Sequence, residues 1–252
     1  MCHPEVPAGT PPPDVRTEEV TIELTGGERL PGLLAFPQRT PAPAVLVIND
    51  VFGRGDFYEH LTRRIAQAGY VALDVEYFFR QGAVPAGDRD AATARSGKLD
   101  QAQTLRDLGA AIEWLRGRSD STGARTGTIG FCMGGTFVLD LAAERRDVAS
   151  VSYYGFPARA RQNVPAPLEV AERIRGPLIG HWGTQDTGVG IDNVRALDAK
   201  LKTANVDHAF YEYEGLGHGF LKAFLDDEKT PGYEQACESW KRTLDFYRKE
   251  LA

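Results

Sequence analysis

The sequence predicts an α/β protein: a mostly parallel central sheet entered through a hairpin, with helices on both faces. Three observations predict it. From residue 43 onward, short apolar runs alternate with helix-length amphipathic segments. Those runs are nearly continuous rather than alternating, as in strands buried on both faces. The first two strand-like runs are joined by Gly26-Gly27 with no helix between them, and no internal repeat or interior linker marks a second domain.

Each element follows from local pattern. Val20-Thr21-Ile22-Glu23-Leu24 alternates apolar and polar residues as a half-buried strand, and the glycine pair turns it into a second strand ending near Phe36. Pro43 to Ile48 is a buried strand. Phe57 to Ala68 is a helix stopped by Gly69, and Tyr70 to Val75 is the next strand. Gly82 to Asp90, containing glycine and proline, is an excursion, followed by a long amphipathic helix from about Gly97 to Arg116. Thr126 to Ile129 is a short strand and Thr136 to Ala143 the first turns of a helix. Val148 to Tyr154 is a strand, Pro165 to Gly176 a polar crossover and Pro177 to Trp182 a strand. Asp192 is the expected cap of a helix reaching Thr203. Ala209 to Tyr213 is the last strand and Glu234 to Lys249 the closing helix.

The 252 residues are 42% hydrophobic and 25% charged, enough apolar material for the core of one such domain. Residues 15–252 are read as that domain and the proline-rich residues 1–14 as a flexible tail. A net charge of −6 provides no broad basic surface, so neither nucleic acid nor membrane is an expected partner. No apolar run approaches the length of a membrane span, and the N-terminus lacks the basic start and apolar segment of a signal peptide. The expected location is the cytoplasm. Cys2, Cys132 and Cys237 are too few for a disulfide framework. Cys2 and His3 on a tail make a poor metal site, and Cys237 reads as helix packing.

The chemistry centres on Gly130-Phe131-Cys132-Met133-Gly134-Gly135, a strand, a glycine-lined turn and a helix start. That is the setting of a nucleophile elbow, here with cysteine where serine is commoner. A helix beginning beneath the sulfur favours thiolate over thiol. Alone, the motif serves equally well as a buried small hydrophobe beside packing glycines. Parallel sheets gather functional groups at the carboxyl ends of their strands, and Asp186 and His218 follow Cys132 at such ends. The order nucleophile, acid, histidine is that of the α/β-hydrolases. A thiol needs a base, and the imidazole needs a carboxylate to fix its tautomer. His218 lies in the glycine-rich loop Glu214 to Phe220. His3 is on the tail, His60 in a surface-like helix, His208 at the wrong strand end, and His181 reads as a hydrogen-bonded core histidine. Asp186 competes with Asp192, which reads as a helix cap.

An oxyanion hole needs two backbone donors. Met133 N–H supplies one and Val51 N–H, in Asn49-Asp50-Val51-Phe52-Gly53, is the candidate for the other. Asp50 is either a modulator of the thiol or a turn aspartate facing water; a carboxylate near sulfur would hold the thiol neutral.

These three segments, with Gly183-Thr184-Gln185-Asp186, resemble the motif set of the dienelactone hydrolase family, in order and across nearly the whole chain beyond the tail. The resemblance implies an α/β-hydrolase fold without a large cap, a Cys132-Asp186-His218 triad and no metal or organic cofactor. It implies hydrolysis of a small-molecule enol-lactone, the carboxymethylenebutenolide of chlorocatechol breakdown. A monomer or homodimer is expected. The pathway enzymes of the family carry Glu where this chain has Asp50. They place arginine where this chain has Lys222, a position that holds the substrate carboxylate; lysine keeps the charge but not the bidentate fork. A second arginine is implied in the excursion, where Arg89 and Arg80 lie. The alternatives are a general small-ester or thioester hydrolase with no carboxylate requirement, and a silent scaffold or thiol redox sensor.

Overall fold

Among the described residues eight strands form one sheet: β1 (Thr17–Glu23), β2 (Arg29–Ala35), β3 (Ala42–Ile48), β4 (Val71–Val75), β5 (Ser121–Phe131), β6 (Val148–Tyr153), β7 (Leu178–Gly183) and β8 (His208–Tyr213). The structure is a computed structural model that describes residues 6, 10–85 and 87–252. Spatial order is β1-β2-β4-β3-β5-β6-β7-β8. β2 runs antiparallel to both β1 and β4, and every later pairing is parallel. The chain builds outward from β3 to β4, then returns to place β5 on the other side of β3. Such a reversal opens a crevice at the carboxyl ends of β3 and β5.

Among the described residues six helices cover the sheet: α1 (Asp56–Gln67), α2 (Arg89–Ser96), α3 (Gln101–Arg116), α4 (Met133–Glu144), α5 (Ile191–Thr203) and α6 (Tyr233–Glu250). The period-two alternation of β3 assigns the layers. Val45 and Val47 pack with Phe57, Leu61 and Ile65 of α1 and with Trp240 and Tyr247 of α6. Ala44, Leu46 and Ile48 pack with Leu108, Ile112 and Leu115 of α3 and with Phe137 and Leu141 of α4. Full burial of each larger side chain contributes about 1.5–3 kcal/mol. α5 closes the second layer through Leu197 and Leu201, against Leu178 and Ala142. The expected α/β architecture, with an N-terminal hairpin, helices on both faces and no large cap, is the one observed. Among the described residues no helix is long and apolar enough to cross a membrane.

Four local readings are corrected. The excursion ends in a separate helix, α2, because Asp88 caps it by accepting from Ala91 N–H; Asp100 likewise caps α3, so the two helices are distinct. The elbow strand extends back to Ser121, with a register shift between Pro43 and Val45 of its partner. Asp192 does not cap α5: Gly190 occupies the cap position and the Asp192 side chain is solvated. His60 is buried, not on a surface face; its Nε2 accepts from Arg64 Nε at 2.9 Å. Of the segment read as a tail, Val6 packs against the α1/α6 layer and the Thr10 hydroxyl donates to Leu225 O, while Cys2, His3 and the other residues at 1–5 and 7–9 lie outside the described residues.

Candidate active site

Cys132 is the single residue between β5 and α4, at φ 56° and ψ −114°. A side chain held there stores about 1–3 kcal/mol of strain, so the surroundings must fix it. Cys132 N–H donates to Tyr153 O at 3.0 Å, and its carbonyl accepts from Thr136 N–H at 3.1 Å. The glycines permit the approach of backbone to backbone. A Cβ at Gly130 would lie 2.1 Å from Gly134 O, and one at Gly134 would lie 2.1 Å from Ile48 O. At Gly135 a Cβ would meet Tyr153 O at 2.7 Å. The elbow is thus wedged between β3 and β6, with the first amides of α4 directed toward the cysteine. Cys132 is 5% exposed.

The Asp186 loop and the His218 loop are clamped together. Gly183 has no room for a Cβ, which would stand 2.1 Å from Leu216 O. Thr184 N–H donates to Tyr213 O at 3.0 Å and Gln185 N–H to Leu216 O at 2.9 Å. Asp186 Oδ2 then meets His218 Nδ1 at 2.6 Å, while Oδ1 accepts from Gly188 N–H at 3.1 Å and Val189 N–H at 3.2 Å. With Nδ1 protonated toward the carboxylate, Nε2 is the basic nitrogen. The imidazole packs beside Tyr154 and Phe156, with ring centroids 4.8 and 5.5 Å away. His181 is a core residue: Nδ1 meets Tyr213 Oη at 2.9 Å, and burial, aided by Arg242, pushes its pKa down to about 3.

The loop after β3 is pinned from several sides. Asn49 Nδ2 donates to Asp74 Oδ1 and Val75 O, both at 2.9 Å, and Tyr77 Oη donates to the carbonyls of Asn49 and Asp50. Arg95, buried on α2, donates to Val51 O at 3.0 Å and to Gly82 O at 2.9 Å. Asp50 does not face water. It is 1% exposed, accepts from Phe52 N–H at 2.8 Å, and is hydrogen bonded by the buried Tyr58 hydroxyl. Burial first, then the charges of Asp50 and other neighbours including Cys132, raises Tyr58 well above the usual phenol range. Tyr58 therefore stays protonated and donates.

A cavity of about 510 Å³ opens over these groups. Val51, Cys132, Met133, Asp186, His218 and Arg89 all line it, so the structure brings together most of the residues singled out from sequence. Lys222 is not among the lining residues. It sits in a 3-10 turn, Phe220–Leu225, whose other side chains turn inward and leave the lysine exposed. Arg80 is held by Glu28 and Asp107. Sequence reasoning missed Tyr58 and Arg95, which act on the loop from distant helices, and Arg159 and Arg161, which line the cavity from the segment after β6. The only sequence signal for the last two was their excess of positive charge in an irregular stretch.

The model of the dienelactone hydrolase family matches residues 30–251. A carboxymethylenebutenolidase of Rhodococcus opacus is 30% identical over 254 residues, covering 100% of this chain and 98% of its own. A solved protein of Klebsiella pneumoniae, described as a candidate dienelactone hydrolase, superposes with a TM-score of 0.84 at 28% identity, covering 94% of this chain and 100% of that one. The dienelactone hydrolase of Anabaena variabilis shares the fold, with a TM-score of 0.68, 18% identity and coverage of 94% and 99%.

Proposed function

The chain belongs to the dienelactone hydrolase family, and from that premise we propose that it opens an enol-lactone, or a related small ester, with Cys132 as nucleophile through a thioester. The observation that carries this reading is the strained Cys132 sharing one cavity with a histidine whose Nδ1 is fixed 2.6 Å from a buried aspartate. In the acylation step, His218 Nε2 accepts the proton from Sγ and the sulfur attacks the carbonyl carbon. The carbonyl electron pair moves to the oxygen, which the amides of Val51 and Met133 stabilise. Collapse restores the carbonyl, breaks the ring C–O bond and expels an enolate. An enolate is a weak base, so departure needs little proton donation and a thiol suffices as nucleophile. The enolate, still tethered to the acyl group, takes the proton back from His218 Nε2. Water then loses a proton to the neutral imidazole and attacks the thioester carbonyl. Collapse expels the Cys132 thiolate, which takes that proton from His218 as the carboxylic acid is released and ionises. Asp186 orients the imidazole in both steps.

Arg95 supports this reading by restraining the Val51 carbonyl, so that the amide on the same turn keeps its aim. The test is acyl trapping. Rapid quench during turnover of an activated aryl ester, followed by mass spectrometry, is expected to find the acyl group on the peptide containing Cys132. Cys132→Ala is expected to lower kcat by at least about 10³-fold. Turnover by that variant at the wild-type rate would overturn the assignment.

A further inference from the structure

Asp74 lies near the end of β4, fully buried, and the hydrolytic steps make no use of it. The alternation of β4 turns its side chain, with that of Ala72, into the layer under α1. There it meets Asn49, which follows β3 directly and stands two residues before Val51. Asn49 spends both hydrogens of Nδ2, one on Asp74 Oδ1 and one on Val75 O, each at 2.9 Å. One oxygen of each side chain remains, Asn49 Oδ1 and Asp74 Oδ2. Both are buried, and among the described residues neither has a hydrogen-bond partner.

That arrangement is costly if Asp74 is ionised. A buried carboxylate requires a cation or several donors, and a buried amide oxygen requires a donor of its own. Arg54 acts on Asp74 but makes no ion pair with it among the described residues; its guanidinium is bonded to Glu19 and Glu59. Glu59 on α1 and Glu76 after β4 also act on Asp74, and both are carboxylates. Arg95 on α2 is spent on the carbonyls of Val51 and Gly82, and the strand neighbours, Leu33 of β2 and Val47 of β3, are apolar. Burial first pushes the Asp74 carboxyl well above the usual range. The Asn49 hydrogen bond and Arg54 draw it partly back, and Glu76 and Glu59 add to the rise. A single proton on Oδ2 removes the buried charge and supplies the missing donor to Asn49 Oδ1.

We propose that Asp74 is held as a neutral carboxylic acid donating to Asn49 Oδ1, and that this acid–amide pair is a positioning unit for the turn bearing the Val51 amide. Asn49 is thereby tied to β4 through both polar atoms of its side chain, while Tyr77 Oη holds its carbonyl at 3.0 Å. The chain then leaves β3 in one direction, and Val51 N–H keeps its aim. The catalytic part rests on the hydrolytic reading above; the protonation state does not. Between the ordinary carboxylate value of 3.8 and the raised one, the folded chain keeps a proton that the unfolded chain has lost. Stability from this group is therefore greatest below about pH 4 and falls as pH rises toward the raised value.

The test uses Asp74→Asn, whose amide offers the same acceptor and donor as the neutral acid, and Asp74→Leu, which offers neither. In native electrophoresis at about pH 7, Asp74→Asn is expected to migrate with wild type, while Asp192→Asn, at a solvated carboxylate, shifts by one charge. A shift in Asp74→Asn equal to that in Asp192→Asn would overturn the neutral acid. On an activated aryl ester, Asp74→Asn is expected to keep kcat within about two-fold of wild type. Asp74→Leu is expected to lower kcat at least about 10-fold with KM nearly unchanged, because the oxyanion forms only in the transition state. Wild-type kcat in Asp74→Leu would overturn the positioning role, and an equal loss in both variants would overturn the pair. Should Asp74→Leu not fold, Asp74→Ser, smaller and lacking the second oxygen, takes its place with the same expectations. If wild type turns over no ester, the hydrolytic reading fails, and the turn is judged by amide hydrogen exchange. Exchange at Val51 and Phe52 is then expected to quicken at least about 10-fold in Asp74→Leu, and an unchanged rate would overturn the positioning role.

Discussion

At Asp186 one carboxylate performs two tasks. Oδ1 closes the turn by accepting from Gly188 and Val189, and Oδ2 holds His218. The sequence offered a turn aspartate and a triad acid as competing readings, and the geometry shows that one side chain can satisfy both. Asp186→Asn would keep an oxygen for the turn but point an amide N–H at His218 Nδ1. That forces the imidazole proton onto Nε2, the nitrogen that must accept from sulfur. We expect kcat to fall roughly 10²- to 10⁴-fold with little change in melting temperature; steady-state rates on an activated ester beside a thermal melt would check this, and wild-type turnover would remove Asp186 from the mechanism. Cys132 and His218 were legible because turn glycines mark them locally. Tyr58 and Arg95 were not, since each reaches the site from a helix whose packing no local pattern specifies.

Among the elements, the β5–α4 elbow is where sequence and structure are most tightly tied. Its glycines sit where strand, turn and helix backbones nearly touch, a demand written in the local sequence. Gly134→Ala would drive a Cβ to 2.1 Å from Ile48 O and 2.3 Å from Asn49 O, and backbone cannot step aside as a side chain tip can. The expected cost is about 1–3 kcal/mol or more, read as a lower urea midpoint, together with loss of turnover as the Asn49–Gly53 loop shifts. An unchanged midpoint would mean that the elbow and β3 are not so closely packed. The α2 helix shows the opposite case. Asp88 before the alanine-rich run Ala91-Ala92-Thr93-Ala94 is a helix start, but the flanking glycines and proline mask it. That helix carries Arg89 and Arg95 to the site, so missing it hid the link between the excursion and the Val51 turn.

Over the whole molecule, the sheet carries a buried polar residue that couples folding to pH. His181, fully buried on β7 between the rings of Tyr153 and Tyr211, has its pKa pushed down to about 3 from an ordinary 6.5. Between those values the unfolded chain binds a proton there and the folded chain does not. Stability from this group is therefore complete above about pH 6.5 and is lost as pH falls toward 3, at up to about 1.4 kcal/mol per pH unit. His60, pushed to about 4, acts in the same direction. His181→Gln is expected to lower stability at pH 7 by disturbing the stack, yet to flatten the fall between pH 6.5 and 4; denaturant midpoints at three pH values would show it, and identical slopes would exclude the assignment. The sequence by itself determined the α/β class, the hairpin entry, the elbow, and the placing of Cys132, Asp186 and His218 at strand ends. Those features are carried by backbone periodicity and turn chemistry, which act over a few residues. Only the tertiary structure decided which charges reach the cavity: Lys222 is turned outward by the burial of its neighbours, Arg80 is claimed by Glu28 and Asp107, and the half-buried Arg161 and exposed Arg159 are left lining it. The reach of a long side chain is set by partners far away in sequence, and no local pattern records them.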